Sequence, residues 1–401
     1  MNLRDLTLPA RSAWLGAYAR VRLSRGYERV APWVSLVPVT LTSAYGDSLG
    51  SAEAIAMAKR CLIYRLLIRL DHEDLARGGR AHEIRNGEAL RAAHREGRGV
   101  LVCSMHLGPF FYVALEVGGL GVPSTTVAAD DVRDEMQSGW DVAISKVPGT
   151  IRTLPARGAR TLISCLRALE RGDAVTVFID GQTGVGGPGA GQHHAEVVRM
   201  MGLDMRLRLG PAYLAQKAQS PVVMATAYRT ALGHRVIEFS DPLPPPRPGG
   251  HEERAEFTQS MMPWFEARAR QHPEQWGGWF VPILTWAETG GAPTVTREAY
   301  DATLARVTAL LSGSVRRARL SADRARVAVF RHGEERVFVH GATRRILAAT
   351  PLGFDLMNAA YKRVPLHRLP RLLNEGSEPL SVEVTRMVLA GLATIEGDPV
   401  A

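Results

Sequence analysis

The sequence predicts an α/β protein with a mostly parallel sheet flanked by helices, followed by a small α+β unit. Three observations carry this reading. Short continuous apolar runs at 99–105 (GVLVCSM), 174–179 (AVTVFI) and 221–228 (PVVMATAY) have the length and β-branched content of strands buried on both faces. Helix-like runs alternate with them, as a parallel sheet with crossover helices requires. Near the C-terminus the pattern changes to strands that alternate apolar and polar residues, which reads as a hairpin.

Taken in order, residues 52–70 (AEAIAMAKRCLIYRLLIRL) form a helical pattern in which Arg60, Arg65 and Arg69 recur among Leu, Ile and Tyr. A basic interfacial helix and a core helix with one solvated face both fit, the second being commoner. Helices are expected at 87–96, 109–117, 157–171, 209–219 and 252–271, and a further strand at 235–239. The stretch 241–250 (DPLPPPRPGG) is too stiff and donor-poor for a central strand. The core closes with HPEQWGGWF at 272–280, and TGGAPT at 289–294 reads as a linker. Beyond it a helix is expected at 297–311, then strands at 327–330 and 336–340 about His332-Gly333-Glu334, then helices at 366–373 and 382–392. The expected division is an N-terminal helical region at 1–85, a core at 86–287, a linker and helix at 288–318, and a small domain at 319–401.

With 401 residues and 46% hydrophobic residues the chain can bury a sizeable core. A net charge of +9, mostly arginine, suits anionic partners or reflects an Arg-rich composition. Neither zinc-finger spacing nor an RNP-like aromatic strand is present, so no nucleic-acid partner is expected. Cys61, Cys103 and Cys165 are far apart and odd in number, which fits a reducing compartment and neither a disulfide framework nor a zinc knuckle. The apolar stretch around 33–45, interrupted by Pro38, is shorter than a membrane span needs, and no signal peptide is read. The expectation is a cytoplasmic protein, soluble or peripheral on the inner membrane face.

His106 is the residue on which the expected chemistry is built. It follows a buried strand and precedes a helix (VLVCSMHLGPFFYVAL), and in open α/β sheets ligands collect at the carboxyl ends of strands. Gly108 lets a substrate approach the backbone, Pro109 suits a helix start, and free N–H groups there can receive developing negative charge. A histidine so placed can deprotonate a hydroxyl or amine, although such a residue is more often structural. A second Gly-rich stretch, Gly184 to Gly189, imitates a dinucleotide fingerprint, but Pro188 and Gly191 make it a loop. His193-His194 is a poor metal pair, and no metal or cofactor is expected.

Several segments resemble, in order, blocks of the late (lauroyl/myristoyl-type) lipid A acyltransferases, a branch of the lysophospholipid-acyltransferase superfamily. These are GRGVLVCSMHLGPF, RTLISCLRALERGDAVTVFIDGQ, MGLDMRLRLGPAYLAQKAQSPVVMATAYR and HPEQWGGWF, spread over residues 87–280. The resemblance implies a glycerolipid acyltransferase-like fold and transfer of an acyl group from a carrier thioester, on acyl carrier protein or coenzyme A, to a hydroxyl or amine. His106 would be the general base. The family carries Asp or Glu five positions after this histidine, and here that position is Phe111. Asp180, which ends the next strand, is the first candidate to replace the carboxylate; a backbone carbonyl, or chemistry of another kind, are the others. Glu116 is a weaker substitute. Phe110 and Phe111 line an acyl tunnel or belong to the core. Gly181, Arg199, Arg206, Arg208 and Arg229 are substrate-binding candidates, as is Lys146, which stands where the family carries an Arg.

The C-terminal segment, RVAVFRHGEERVFVHGATRRILAATPLGFDLMNAAYKRVPLHRLPRLL onward, resembles the small peptide-binding domain of pyrroloquinoline-quinone biosynthesis (PqqD-like). That likeness implies a peptide or carrier-bound acceptor, as in natural-product biosynthesis; a structural winged-helix appendage is the plainer reading. Two other readings of the whole chain remain beside the transferase. One is a pseudo-acyltransferase that binds a peptide or carrier protein, and the other is a thioester hydrolase or condensing enzyme on the same fold.

Overall fold

A computed structural model describes residues 36–76, 82–128, 140–156, 159–181, 195–231, 234–280, 295–313, 315–332 and 335–397, together with residues 10, 13, 14 and 17. The chain divides into two units, Met1–Arg25 with Lys59–Ala287, and Gly26–Ala58 with Glu288–Ala401. The expected linker at 289–294, the Gly-rich stretch at 184–189 and His193-His194 lie outside the described residues.

The first unit is built on a seven-stranded sheet. In chain order its strands are β1 (Glu83–Arg85), β2 (Val100–Ser104), β3 (Ser124–Ala128), β4 (Ile151–Pro155), β5 (Ala174–Phe178), β8 (Val222–Ala231) and β9 (His234–Phe239). The spatial order is β1-β9-β8-β2-β5-β3-β4. Strands β8, β2, β5, β3 and β4 are parallel, and β9 folds back antiparallel on β8. This is the mostly parallel, helix-flanked sheet that the apolar runs predict. A separate antiparallel hairpin, β6 (Ala195–Met200) and β7 (Leu203–Arg208), lies between β5 and the next helix.

Period-two alternation sends the strand residues to two cores. Val100, Val102, Val223, Ala225 and Ile237 pack with Leu90 and Ala93 of helix α3 (Gly87–Arg95) and with Phe111, Tyr112 and Leu115 of α4 (Phe111–Gly119). On the opposite face lie α5 (Ala159–Glu170), α6 (Gly210–Ala218) and α7 (His251–Gln271), α6 packing against both of its neighbours. The long helix α2 (Ser51–Ala76), expected as 52–70, contributes Leu75 to the first core. The segment 241–250 is irregular, touching the sheet through a single bridge from Leu243 to Val222.

The second unit contains α1 (Leu36–Tyr45), α8 (Arg297–Leu311), α9 (Pro351–Tyr361), α10 (Leu369–Leu373) and α11 (Ser377–Leu389). Its sheets are the pair β10 (Arg319–Ser321) with β14 (Thr394–Glu396), and the antiparallel trio β11 (Val327–His332), β12 (Glu335–His340) and β13 (Arg345–Ala348). The apolar stretch weighed as a membrane contact is α1, whose residues Leu36 to Leu41 are buried against β11 and β12. Among the described residues no helix is long and apolar enough to cross a membrane.

Gly99, which launches β2, has φ +65°, and a Cβ there would lie 2.8 Å from Leu169 Cα and 3.0 Å from Asp173 O. Gly97 also has a positive φ but faces open space. Gly99→Ala is expected to lower stability by about 1–3 kcal/mol, and by more than Gly97→Ala, in urea unfolding of the full chain.

Candidate active site

Strand β2 runs into α4 on one face of the sheet, while the chain leaving β5 reaches α6 on the other. Adjacent strands whose continuations part in this way open a crevice beyond their carboxyl ends. The parallel register pairs Ser104 with Phe178. One residue further, Ile179 N donates to Ser104 O at 2.8 Å. The next residues on the two chains are His106 and Asp180, so the register alone brings them side by side.

There the backbone ladder is replaced by a side chain. The Asp180 carboxylate accepts from His106 N at 3.1 and 3.0 Å, one distance to each oxygen, and Oδ1 lies 2.8 Å from His106 Nδ1. Trp276 Nε1 donates to Oδ2 at 3.0 Å. Burial pushes the Asp180 carboxyl up, but the His106 charge, the His106 ring and backbone N–H groups and the Trp276 indole outweigh it and hold the carboxyl below its ordinary value. An ionised Asp180 accepts only, so it selects the tautomer of His106 that carries the proton on Nδ1. Nε2 is then the free lone pair, on a side chain 35% exposed. Phe110 and Phe178 flank the ring, with centroids 4.5 and 5.0 Å away.

The closing block grips the histidine turn. Gly277 N donates to His106 O at 2.7 Å, Gly108 N donates to Gln275 O at 3.0 Å, and Leu107 pairs with Trp276 in an antiparallel bridge. The Gln275 side chain binds both Arg229 N and Arg229 O at 2.8 Å, joining β8 to the same block. Gly108 has φ +52°, and a Cβ there would fall 2.7 Å from Ala227 O and 3.0 Å from Gln275 Oε1. The glycine is needed for this close packing, whereas the sequence suggested room for substrate. Its own amide is committed to Gln275 O, which leaves the helix-start amides beyond it as the backbone donors expected near Gly108. Beyond Pro109, Tyr112 N donates to Pro109 O at 3.1 Å and Val113 N to Phe110 O at 3.0 Å, so the Phe110 and Phe111 amides are the ones that precede the helical ladder.

Several other candidates lie elsewhere. Phe111 turns into the core, 4% exposed and edge-on to His72 at 4.4 Å, so Phe110 alone of the pair borders His106. Glu116 is paired with His82 at 3.0 Å, both side chains buried, and does not reach His106. The Arg229 guanidinium is buried against Asp71 of α2, and neighbouring Arg235 binds Asp74 at 2.7 Å and Tyr112 Oη at 2.7 Å. Arg229 is therefore a core ion-pair residue, although its backbone belongs to the site's frame. Lys146 is exposed and sits five residues before β4, at the amino-terminal edge of the sheet, opposite the site. Gly181 does border His106: a Cβ there would lie 3.9 Å from Cε1. Arg199, Arg206 and Arg208 share one face of the β6–β7 hairpin, because Arg206 pairs with Val197 and Arg208 with Ala195, and β6 packs on α7. Sequence reasoning missed Phe178, Gln275 and Trp276 as site residues. The only signal for the last two was the closing block itself.

The lowered Asp180 value sets a pH dependence. Its contribution to stability is complete above the ordinary value of 3.8 and is lost as pH falls through the lower folded value. The stability difference between the wild type and Asp180→Asn is expected to shrink as pH falls below 3.8, in urea titrations at stepped pH.

No family model matches the chain, and no curated protein matches it. Among solved structures it is similar to the crystal structure of the 1-acyl-sn-glycerophosphate (LPA) acyltransferase PlsC from Thermotoga maritima. The identity is 13%, the match covers 65% of this chain and 98% of that one, and the TM-score is 0.31. A likeness of that size carries no weight for activity.

Proposed function

We propose that the chain is an acyltransferase in which His106 is the general base. The observation that carries this is the 2.8 Å contact between His106 Nδ1 and Asp180 Oδ1, made just beyond the carboxyl ends of β2 and β5 on a histidine whose side chain is 35% exposed. An acceptor hydroxyl or amine would give its proton to Nε2 as its oxygen or nitrogen attacks the carbonyl of an acyl thioester. Asp180 steadies the imidazolium so formed. Collapse of the tetrahedral adduct breaks the carbon–sulfur bond, and the thiolate leaves with the proton that His106 holds. The Phe110 and Phe111 amides at the helix start would be the donors for the oxyanion. The Phe110 and Phe178 rings offer an apolar wall to the acyl chain.

The donor in this proposal is acyl carrier protein or coenzyme A. The arginines of the β6–β7 hairpin suit either one, or an anionic headgroup if the protein works at a membrane surface. A peptide acceptor would pair along β13, which bonds only to β12 among the described strands and so offers an edge. The PqqD-like reading of that unit, and a role in natural-product biosynthesis, stand with this part of the proposal.

Intact-mass screening of acyl carrier and acyl-CoA donors against peptides, amines and hydroxyl acceptors tests the reading. Transfer is expected, and His106→Ala should lower its rate by about 10²–10⁴-fold. Release of free acid without transfer would favour a hydrolase. Full turnover in His106→Ala would exclude the histidine as base, and no turnover with any donor would favour a binding module.

A further inference from the structure

We infer that Trp276 is a positioning residue for the His106–Asp180 pair: its indole N–H fixes the rotation of the Asp180 carboxylate so that Oδ1 faces His106 Nδ1. The inference deepens the general-base reading and takes its functional meaning from it. The position of Asp180 follows from strand register, but the rotation of its carboxylate does not, because that torsion is broad and roughly two-fold. The His106 backbone N–H lies nearly equidistant from the two oxygens, 3.1 and 3.0 Å, and does not tell them apart. The imidazole holds Oδ1, and the indole restrains Oδ2 at 3.0 Å. A carboxylate offered on the same turn as its histidine has its geometry set locally; one supplied by a neighbouring strand needs this outside restraint.

The indole is itself held. Trp276 is 1% exposed and packs edge-on against Trp279 at 4.6 Å, whose own N–H is donated to Pro273 O at 2.5 Å. Gly278 lies against the ring: a Cβ there would come 2.9 Å from Trp276 Nε1 and closer still to two ring carbons. Gly278→Ala therefore displaces the indole without removing any hydrogen-bonding group. Trp276→Phe removes the donor and keeps an aromatic ring for Trp279.

Both variants, Asp180→Asn and the wild type are compared as full chains by two readouts that need no substrate. One is the low-field proton resonance of the Nδ1–H held by Asp180. The other is carbethoxylation of His106 by diethyl pyrocarbonate, mapped by mass and normalised to the exposed His234 and His251. In Trp276→Phe and Gly278→Ala the resonance should broaden or vanish. Relative His106 labelling should fall by about fivefold, the size of one lost hydrogen bond. The proposal is overturned if both readouts stay at wild-type values in Trp276→Phe while Asp180→Asn changes both. It is equally overturned if labelling of all three histidines changes in step, since the indole would then be packing only. Neither readout uses an acyl donor, so failure here leaves the general-base reading intact, and failure of acyl transfer leaves this result standing.

Discussion

The site depends on one hydrogen-bonded pair formed where two parallel strands run out of partners. Past the rung from Ile179 N to Ser104 O, the next β2 amide, His106 N, meets the Asp180 carboxylate in place of a backbone carbonyl. A single carboxylate thereby caps the end of β2, holds the imidazole and sets its tautomer. Because strand register fixes the pairing, a one-residue slip between β2 and β5 would separate His106 from Asp180 as well as turning side chains to the wrong core.

A buried carboxylate is costly unless its lone pairs are satisfied. Asp180 meets that condition with donors that include the His106 amide, the His106 ring and the Trp276 indole. A second polar layer lies deeper, where Asp71 and Asp74 of α2 meet Arg229 and Arg235 of β8 and β9, with the Tyr112 hydroxyl from α4. Burial raises the Asp71 carboxyl to about 6 against the pull of both arginines. The two layers meet at Arg229: its guanidinium serves the deep layer, while Gln275 binds its backbone and, through its own carbonyl, the Gly108 amide. The closing block thus ties the histidine turn to β8 at the point where α2 is anchored.

The central strands were legible because β2, β5 and β8 are buried on both faces and leave continuous apolar runs. Strands β1 (EIR), β3 (STTVA) and β4 (IRTLP) were not, being short, polar or at an edge, where neither periodicity nor propensity rises above loop. The β6–β7 hairpin was missed because its turn, Met201-Gly202 with φ of +56° and +73°, has methionine where Asn or Asp usually signals a tight reversal. His106 and Asp180 were both legible, each ending an apolar run. Their pairing became certain only with the strand order, which sequence spacing does not contain. The alternatives left open for Phe111 and Glu116 were settled by which side of α4 faces the site: Phe111 lies in the core, and Glu116 pairs with His82. Trp276 and Gln275 reach the site by a return of the chain across the sheet, and nothing local announces it.

The tautomer of His106 in the wild-type protein tests the account most directly. Nitrogen NMR of histidine-labelled protein, at a pH where the ring is neutral, reports which nitrogen carries the proton. The account predicts protonation at Nδ1, with Nε2 bare. A proton on Nε2, or exchange between the two nitrogens, would contradict it, because Asp180 would then not be holding the ring and His106 could not act as the base proposed.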